Sequence, residues 1–265
     1  MKKYFIYFNL AWQSFFAYRA NLILQFAGQV IFYISMVILW LAVYESKDVI
    51  GDYTKEQMIT YIVGSGIISG YIFYVSIGDQ IDMYINRGLL SGWLTKPMNV
   101  PNMWFTDDLA RRFFNITLSV IVFSVVFVIF HRYLYIQTDI FIILGTIIIV
   151  FLAGIINFLI FYISGLLGFW MEETWGVRFV LRMFQTIAGG SIIPLSLFPG
   201  IVGKILLILP TKYLFYTPMQ FYLGKIELSG LPIILLSELA WIVTLAALGK
   251  LVWTKGLKHY TAVGA

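Results

Sequence analysis

The sequence predicts an all-α integral membrane protein, and three observations support that class. Hydrophobic residues make up 60% of the 265-residue chain, and charged residues make up only 12%. The mean hydropathy is +0.88. Soluble domains carry about 25% charged residues, so this chain has too little polar surface for a water-soluble globule of its size. The apolar residues are also gathered into stretches of about 20 residues, the length that crosses a bilayer.

Six transmembrane helices are predicted within a single transmembrane domain that covers residues 1–265. The predicted spans are residues 22–44, 58–77, 113–130, 140–170, 179–197 and 231–253. Ahead of the first span, an aromatic residue recurs at three- and four-residue steps with polar residues between, at Phe5, Phe8, Trp12, Phe15 and Phe16. This pattern predicts an interfacial helix over residues 1–20; the alternative is a ragged start of the first span.

The distribution of positive charge predicts that both termini are cytoplasmic. With the N-terminus inside, 12 of the 18 lysines and arginines fall on the cytoplasmic side, in agreement with the positive-inside rule. In this class of protein the net charge of +5 is a signal of topology, so no nucleic-acid partner is predicted.

The fifth apolar stretch and the run that follows it are interrupted by helix breakers. These are Gly189, Gly190, Pro194, Pro199, Pro210 and Pro218. A broken helix at membrane depth requires protein or water to cover its free backbone groups. Residues 198–230 are therefore predicted to form short re-entrant helices on the extracytoplasmic side. A seventh span there would move the C-terminus outside, against the charge distribution.

The loop over residues 79–112 lies between the second and third predicted spans and contains the run RGLLSGWLTKPMNVP. Apolar residues at near-helical spacing predict a short helix that ends near Leu94, ahead of Pro97. A rigid helix with a charged outer face would act as a lever between a partner and the flanking spans. The alternative is an ordinary interfacial loop anchored by Trp93 and Trp104.

The run NRGLLSGWLTKPMNVP after the second of six spans resembles the permease subunits of type 2 ABC exporters, in the bacterial branch with an Arg-Gly…Leu…Lys/Arg-Pro run. The resemblance implies a coupling helix that docks onto a separate P-loop ATPase subunit. The residues that it assigns to this docking element or its frame are Arg87, Gly88, Leu89, Leu94, Lys96 and Pro97. It also implies export across the bacterial cytoplasmic membrane by two permease chains, surrounded by lipid, with two ATPase chains.

The chain carries no G-x-x-x-x-G-K-[ST] run, so it has no phosphate-cradling loop of that kind. It is therefore not predicted to be an enzyme, and ATP and Mg²⁺ are expected on the partner ATPase. No cofactor is predicted in this chain. A metal site is not predicted either, because cysteine is absent and the two histidines, His131 and His259, lie far apart in the sequence.

Acidic residues at two places in the sequence are candidates for a functional role. Glu238 is the one acid within a predicted span; it either lines the export route or the dimer seam, or makes a structural hydrogen bond to a neighbouring helix. In WMEETWGVR, Glu172 and Glu173 are expected to cap a helix or pair with Arg178 and Arg182, in a second cytoplasmic contact region. A similar Glu-Glu-x-x-x-Arg pattern occurs in intramembrane proteases, but here the spacing is one residue longer and no histidine follows in a later span.

Two other classes of protein compete with the exporter. A secondary transporter or channel commonly shows inverted repeats and midplane ionisable residues, whereas this chain shows no evident repeat and a single intramembrane acid. A membrane-embedded enzyme requires a convergent set of polar groups within the bilayer. For an exporter, an apolar route in a chain with 18% aromatic residues suits lipidic, amphiphilic or hydrophobic drug-like cargo.

Overall fold

The computed structural model describes residue 8, residues 19–72 and residues 77–260. Helices dominate these residues. The α-helices are α1 (Arg19–Val43), α2 (Lys55–Ile72), α3 (Ile77–Asn86), α4 (Leu90–Leu94), α5 (Val100–Phe130), α6 (Ile140–Leu166), α7 (Trp175–Ala188), α8 (Gly200–Leu206), α9 (Tyr216–Tyr222) and α10 (Leu231–His259). Two-residue strands β1 (Val49–Ile50) and β2 (Tyr53–Thr54) pair in a small antiparallel hairpin between α1 and α2. The predicted interfacial helix over residues 1–20 lies almost wholly outside the described residues.

Four segments among the described residues are long and apolar enough to cross a membrane. They are Lys55–Asn86, Val100–Tyr133, Ile140–Phe169 and Leu228–His259. A shorter apolar helix, Ala27–Val43, lies in the region of the first predicted span. These segments make the chain an integral membrane protein, as its composition predicts.

The third apolar helix begins at Val100, 13 residues before the predicted start at Phe113. The local sequence explains the difference, because the side chain of Asn99 accepts a hydrogen bond from the backbone N–H of Asn102 at 3.1 Å. Pro101 occupies the first turn, where its missing N–H is not needed. Much of the predicted 79–112 loop is therefore helical, and α4 lies in the short connection between α3 and α5.

The fifth predicted span is not one continuous helix. Helix α7 has 14 residues, about 21 Å at 1.5 Å per residue, and this is less than the ~30 Å of a hydrocarbon core. It ends at Ala188, and Gly190 has a φ of 77°, in the left-handed region that glycine adopts readily. From there to residue 230 the chain forms short pieces, which are α8, α9 and three 3₁₀ turns.

The short pieces after α7 are held against the β hairpin and the start of α2. The hydroxyl of Tyr61 in α2 donates to the carbonyl oxygen of Gly190 at 2.5 Å. Gln220 in α9 donates through its amide to the hydroxyl of Tyr53 in the hairpin. Helix α5 begins beside α4 and has 31 residues, and just past its far end the backbone N–H of Tyr135 donates to the hydroxyl of Thr60 in α2 at 2.7 Å. This end of the bundle is therefore opposite the end that carries α4.

The core forms where α6 packs against α3, α9 and α10, and where α2 packs against α5. Helices α3 and α6 approach closely at two glycines: a Cβ on Gly165 would lie 2.8 Å from the backbone carbonyl oxygen of Gly78. Side-chain clusters fill the bundle on both sides of this contact. The contact fixes α3, and with it α4, to the C-terminal half of α6, where most of the buried residues of that helix lie.

Candidate functional site

The connection that contains α4 is shaped by a glycine. Helix α3 ends at Asn86, and Gly88 adopts a φ of 68° before α4 begins at Leu90. A residue with a Cβ is strained in this left-handed conformation. The predicted helix up to Leu94 is thus two helices, α3 and α4, joined by a sharp turn at Gly88.

Helix α4 has only five residues, so its stability depends on its contacts. Leu90 is fully buried. Trp93 packs edge-to-face on Tyr84 of α3, with ring centroids 6.1 Å apart. The backbone N–H of Ser91 donates to the hydroxyl of Tyr260, just past the end of α10, at 3.1 Å. These contacts fix the short helix to α3 and α10.

The opposite side of the connection faces outward and combines apolar and basic side chains. Leu89 and Leu94 are 48% and 43% exposed, although both are large aliphatic residues. Arg87, Lys96 and Pro97 are exposed beside them. Together these five residues form what we call the 87–97 surface; Gly88, the sixth predicted residue, supplies the turn.

Lys96 has a defined position on this surface. Its Nζ atom lies 3.7 Å from the ring centroid of Trp93, in a cation–π arrangement. The half-buried Trp93 of α4 thereby also orients an exposed cation that follows the helix. The 87–97 surface is a fixed, amphipathic patch of the kind that protein–protein interfaces use, with apolar residues at the centre and charges beside them.

A cluster of ion pairs links α3 to the start of α7. The Nε atom of Arg178 lies 2.5 Å from Oδ1 of Asp79, and its NH2 atom lies 3.2 Å from Oδ2 of Asp82. The guanidinium also donates to the hydroxyl of Thr174. Arg178 is buried, and its charge is balanced by two carboxylates of α3, of which Asp82 is largely buried and Asp79 is partly exposed.

The expected pairing of Glu172 and Glu173 with Arg178 is wrong. Both glutamates are exposed, while Arg178 points back to α3 and its two aspartates. A buried guanidinium gains more from carboxylates on a packed helix than from glutamates that water already solvates. Glu172 does contact α3 through its backbone, because its carbonyl oxygen accepts from the side-chain amide of Asn86 at 2.8 Å.

A second buried ion pair lies in α5. The guanidinium of Arg112 holds the carboxylate of Asp108 at 2.5 and 3.1 Å. It also donates to the carbonyl oxygens of Tyr71 and Ile72, at the end of α2, at 2.8 and 3.3 Å. The amide of Asn157 donates to the Ile72 carbonyl at 2.6 Å. Arg112 is in a helix and not in the predicted 79–112 loop; its i, i+4 spacing from Asp108 is the signal that indicates a helix.

Glu238 is fully buried within this chain, on α10. Among the described residues, neither of its carboxylate oxygens has a hydrogen-bond partner. Of the two alternatives for Glu238, a structural hydrogen bond to a neighbouring helix is therefore not seen among the described residues. No group of three or more metal-ligating side chains occurs among the described residues either.

A chain of contacts connects the 87–97 surface to the rest of the bundle. The surface is formed by the end of α4 and the residues that flank this helix, and α4 is fixed to α3. Helix α3 in turn packs on α6 and pairs with α7 through Arg178. Apolar membrane helices with an exposed amphipathic patch at one end define the class of an integral membrane protein.

Comparison with known protein families agrees with that class. A family model described as ABC-2 family transporter protein matches residues 6–264. The chain belongs to this family, the ABC-2 type transporter permeases, and is a membrane component of a transporter. No curated protein and no solved structure matches the chain.

Proposed function

We propose that this chain is the transmembrane permease subunit of an ATP-driven exporter, and that the 87–97 surface docks onto a separate P-loop ATPase subunit. Membership of the family implies an ABC ATPase partner, which would bind ATP and Mg²⁺. The observation that carries the proposal is the exposure of Leu89 and Leu94 at the two ends of α4, whose other face is anchored. Two exposed leucines between two cations gain most when an apolar groove with acidic neighbours covers them.

In this proposal, movement of the ATPase pushes α4 and the bundle responds as a rigid body. Trp93 against Tyr84 passes the displacement to α3. The close contact of Gly78 with Gly165 passes it to α6, and the pairing of Arg178 passes it to α7. The exposed Glu172 and Glu173 lie just before the start of α7, next to the end of α3, and form a second contact with the ATPase.

The proposal also includes orientation and stoichiometry. The end that carries α4 faces the cytoplasm of a bacterial cell, with both termini on that side, because most of the cations lie there. Two permease chains assemble with two ATPase chains, and the cargo moves along the seam between the permeases. The short helices after α7 cover the extracytoplasmic end of that seam.

The docking step is tested by charge reversal. The double variant Arg87→Glu and Lys96→Glu should bind the ATPase subunit at least about tenfold more weakly, since like charges across an interface are repulsive. Binding is measured by titrating the labelled ATPase onto the permease in nanodiscs. The matched control is Lys204→Glu, at an exposed lysine of α8 near the other end of the bundle. Equal affinity of the double variant and wild type would remove the 87–97 surface from the interface.

A further inference from the structure

A cleft lies between α5, α6 and α10, at the same end of the bundle as the 87–97 surface. Its volume is about 490 Å³, within the range of ~300–1,000 Å³ that small-ligand sites occupy. It is partly open to the outside of the bundle. Three helices line it, and the same three carry three of the apolar membrane-spanning segments.

Polar and apolar side chains are separated along the length of the cleft. On α10 the lining residues Ile242, Ala246, Lys250 and Thr254 recur every four residues and so share one helix face. The first two are apolar, and the last two lie towards the end of the helix. From Ile242 to Lys250 the distance along the axis is about 12 Å at 1.5 Å per residue.

The other two helices show the same order. On α5 the lining begins with Asn99 and Asn102 at the start of the helix and continues inward to Phe105. On α6 the inner lining is formed by apolar residues, including Ile155, Phe158 and Leu159. Phe105 and Phe158 meet edge-to-face with centroids 5.0 Å apart. The polar end of the cleft is therefore near the helix ends, and the apolar part reaches inward.

Lys250 gives the polar end its charge. It is exposed, and among the described residues no carboxylate forms an ion pair with it. A single cation beside asparagine and threonine side chains suits an anionic, hydrogen-bonding group. An aromatic and aliphatic wall that continues inward from it suits a hydrocarbon chain.

We propose that this cleft binds an anionic phospholipid of the surrounding membrane, in the leaflet nearest the 87–97 surface. One acyl chain lies along Phe105, Phe158 and Ile242, and the phosphate group lies beside Lys250 with Asn102 and Thr254 as neighbours. The charge of Lys250 and the order of polar to apolar lining match the order of head group to chain in such a lipid. The site is independent of the proposed ATPase contact, because no residue of the 87–97 surface lines it.

The test uses the full chain, purified in detergent without any ATPase. It is incubated with vesicles of phosphatidylglycerol or of phosphatidylcholine with the same acyl chains, and retained lipid is counted by native mass spectrometry. Wild type should retain phosphatidylglycerol in preference. Lys250→Gln should lower this preference about fivefold, which corresponds to about 1 kcal/mol for one basic residue at an anionic membrane surface. Lys255→Gln, at an exposed lysine of α10 outside the cleft, should not change it.

A second variant tests the apolar part of the site. Ala246→Phe places a ring in the cleft and should reduce the retention of both lipids, while inorganic phosphate alone should not stabilise the wild type against heat. Wild-type retention that is equal for the two lipids, or a preference that survives Lys250→Gln, would overturn the proposal. The Lys250→Gln result decides the matter even if Ala246→Phe fails to fold, because residue 250 is exposed.

Discussion

Breaking the buried pair of Asp108 and Arg112 should destabilise the protein more than breaking any other ion pair among the described residues. Both side chains are 1% exposed and are joined at 2.5 Å. Removing one partner of a buried pair costs about 3–5 kcal/mol, because the other charge stays buried. After Asp108→Ala, Arg112 retains its bonds to the carbonyls of Tyr71 and Ile72, so we expect the lower end, about 3 kcal/mol. Arg112→Met leaves the Asp108 carboxylate buried and removes the donor to the Tyr71 carbonyl, while the Ile72 carbonyl keeps its bond from Asn157, so we expect the upper end, about 5 kcal/mol.

These values convert to a measurable change in melting temperature. With about 2–4 °C per kcal/mol for chains of this order of size, Asp108→Ala should melt about 6–12 °C below wild type and Arg112→Met about 10–20 °C below. The assay is thermal unfolding in one detergent, followed by circular dichroism. Lys255→Met is the control: this lysine of α10 is exposed and forms no ion pair among the described residues, so its replacement should cost about 0.5 kcal/mol or less. If Arg112→Met melts like this control, or above Asp108→Ala, the reasoning is refuted.

Three further predictions follow from the helix contacts and are checked by the same unfolding assay. Gly165→Val should destabilise by about 1–3 kcal/mol, because its side chain would meet the backbone of α3, whereas Gly176→Ala, in open space, should not. Glu238→Leu should melt no lower than wild type, since it removes a buried carboxylate without a hydrogen-bond partner among the described residues. A melting temperature several degrees below that of wild type would contradict this. Gly88→Ala should cost about 1 kcal/mol through its left-handed backbone and also weaken ATPase binding, and an unchanged melting temperature would contradict this.

The sequence predicted the class and most of the spans because long apolar runs have few alternatives to crossing a membrane. The boundaries were predicted less well where charge and helix coincide. The predicted loop included residues 100–112, which carry several charges, yet Asp108 and Arg112 neutralise each other within α5. Charge lowers the hydropathy of a segment even when pairing lets that segment be buried.

In the candidate site, too, some features could be predicted from the sequence and others could not. The short helix that ends near Leu94 could be predicted, because it depends on the local sequence: Gly88 forms the turn before it and Pro97 follows it. The partners of Arg178 could not, because Asp79 lies 99 residues away in the sequence and only the packing of α3 on α6 brings them together. Glu172 and Glu173 are nearer to Arg178 in the sequence and were therefore predicted as its ion-pair partners, but its partners are Asp79 and Asp82.

The measurement that tests the central claim most directly is cysteine protection on the 87–97 surface. The chain has no cysteine, so Leu94→Cys and, as a control at the other end of the bundle, the 71% exposed Ile208→Cys each introduce a single reactive thiol. The rate of maleimide labelling in nanodiscs is compared with and without the ATPase subunit. The account predicts that bound ATPase slows the labelling of residue 94 and leaves that of residue 208 unchanged. Equal labelling of residue 94 in both samples, with the complex shown to be assembled, would contradict it.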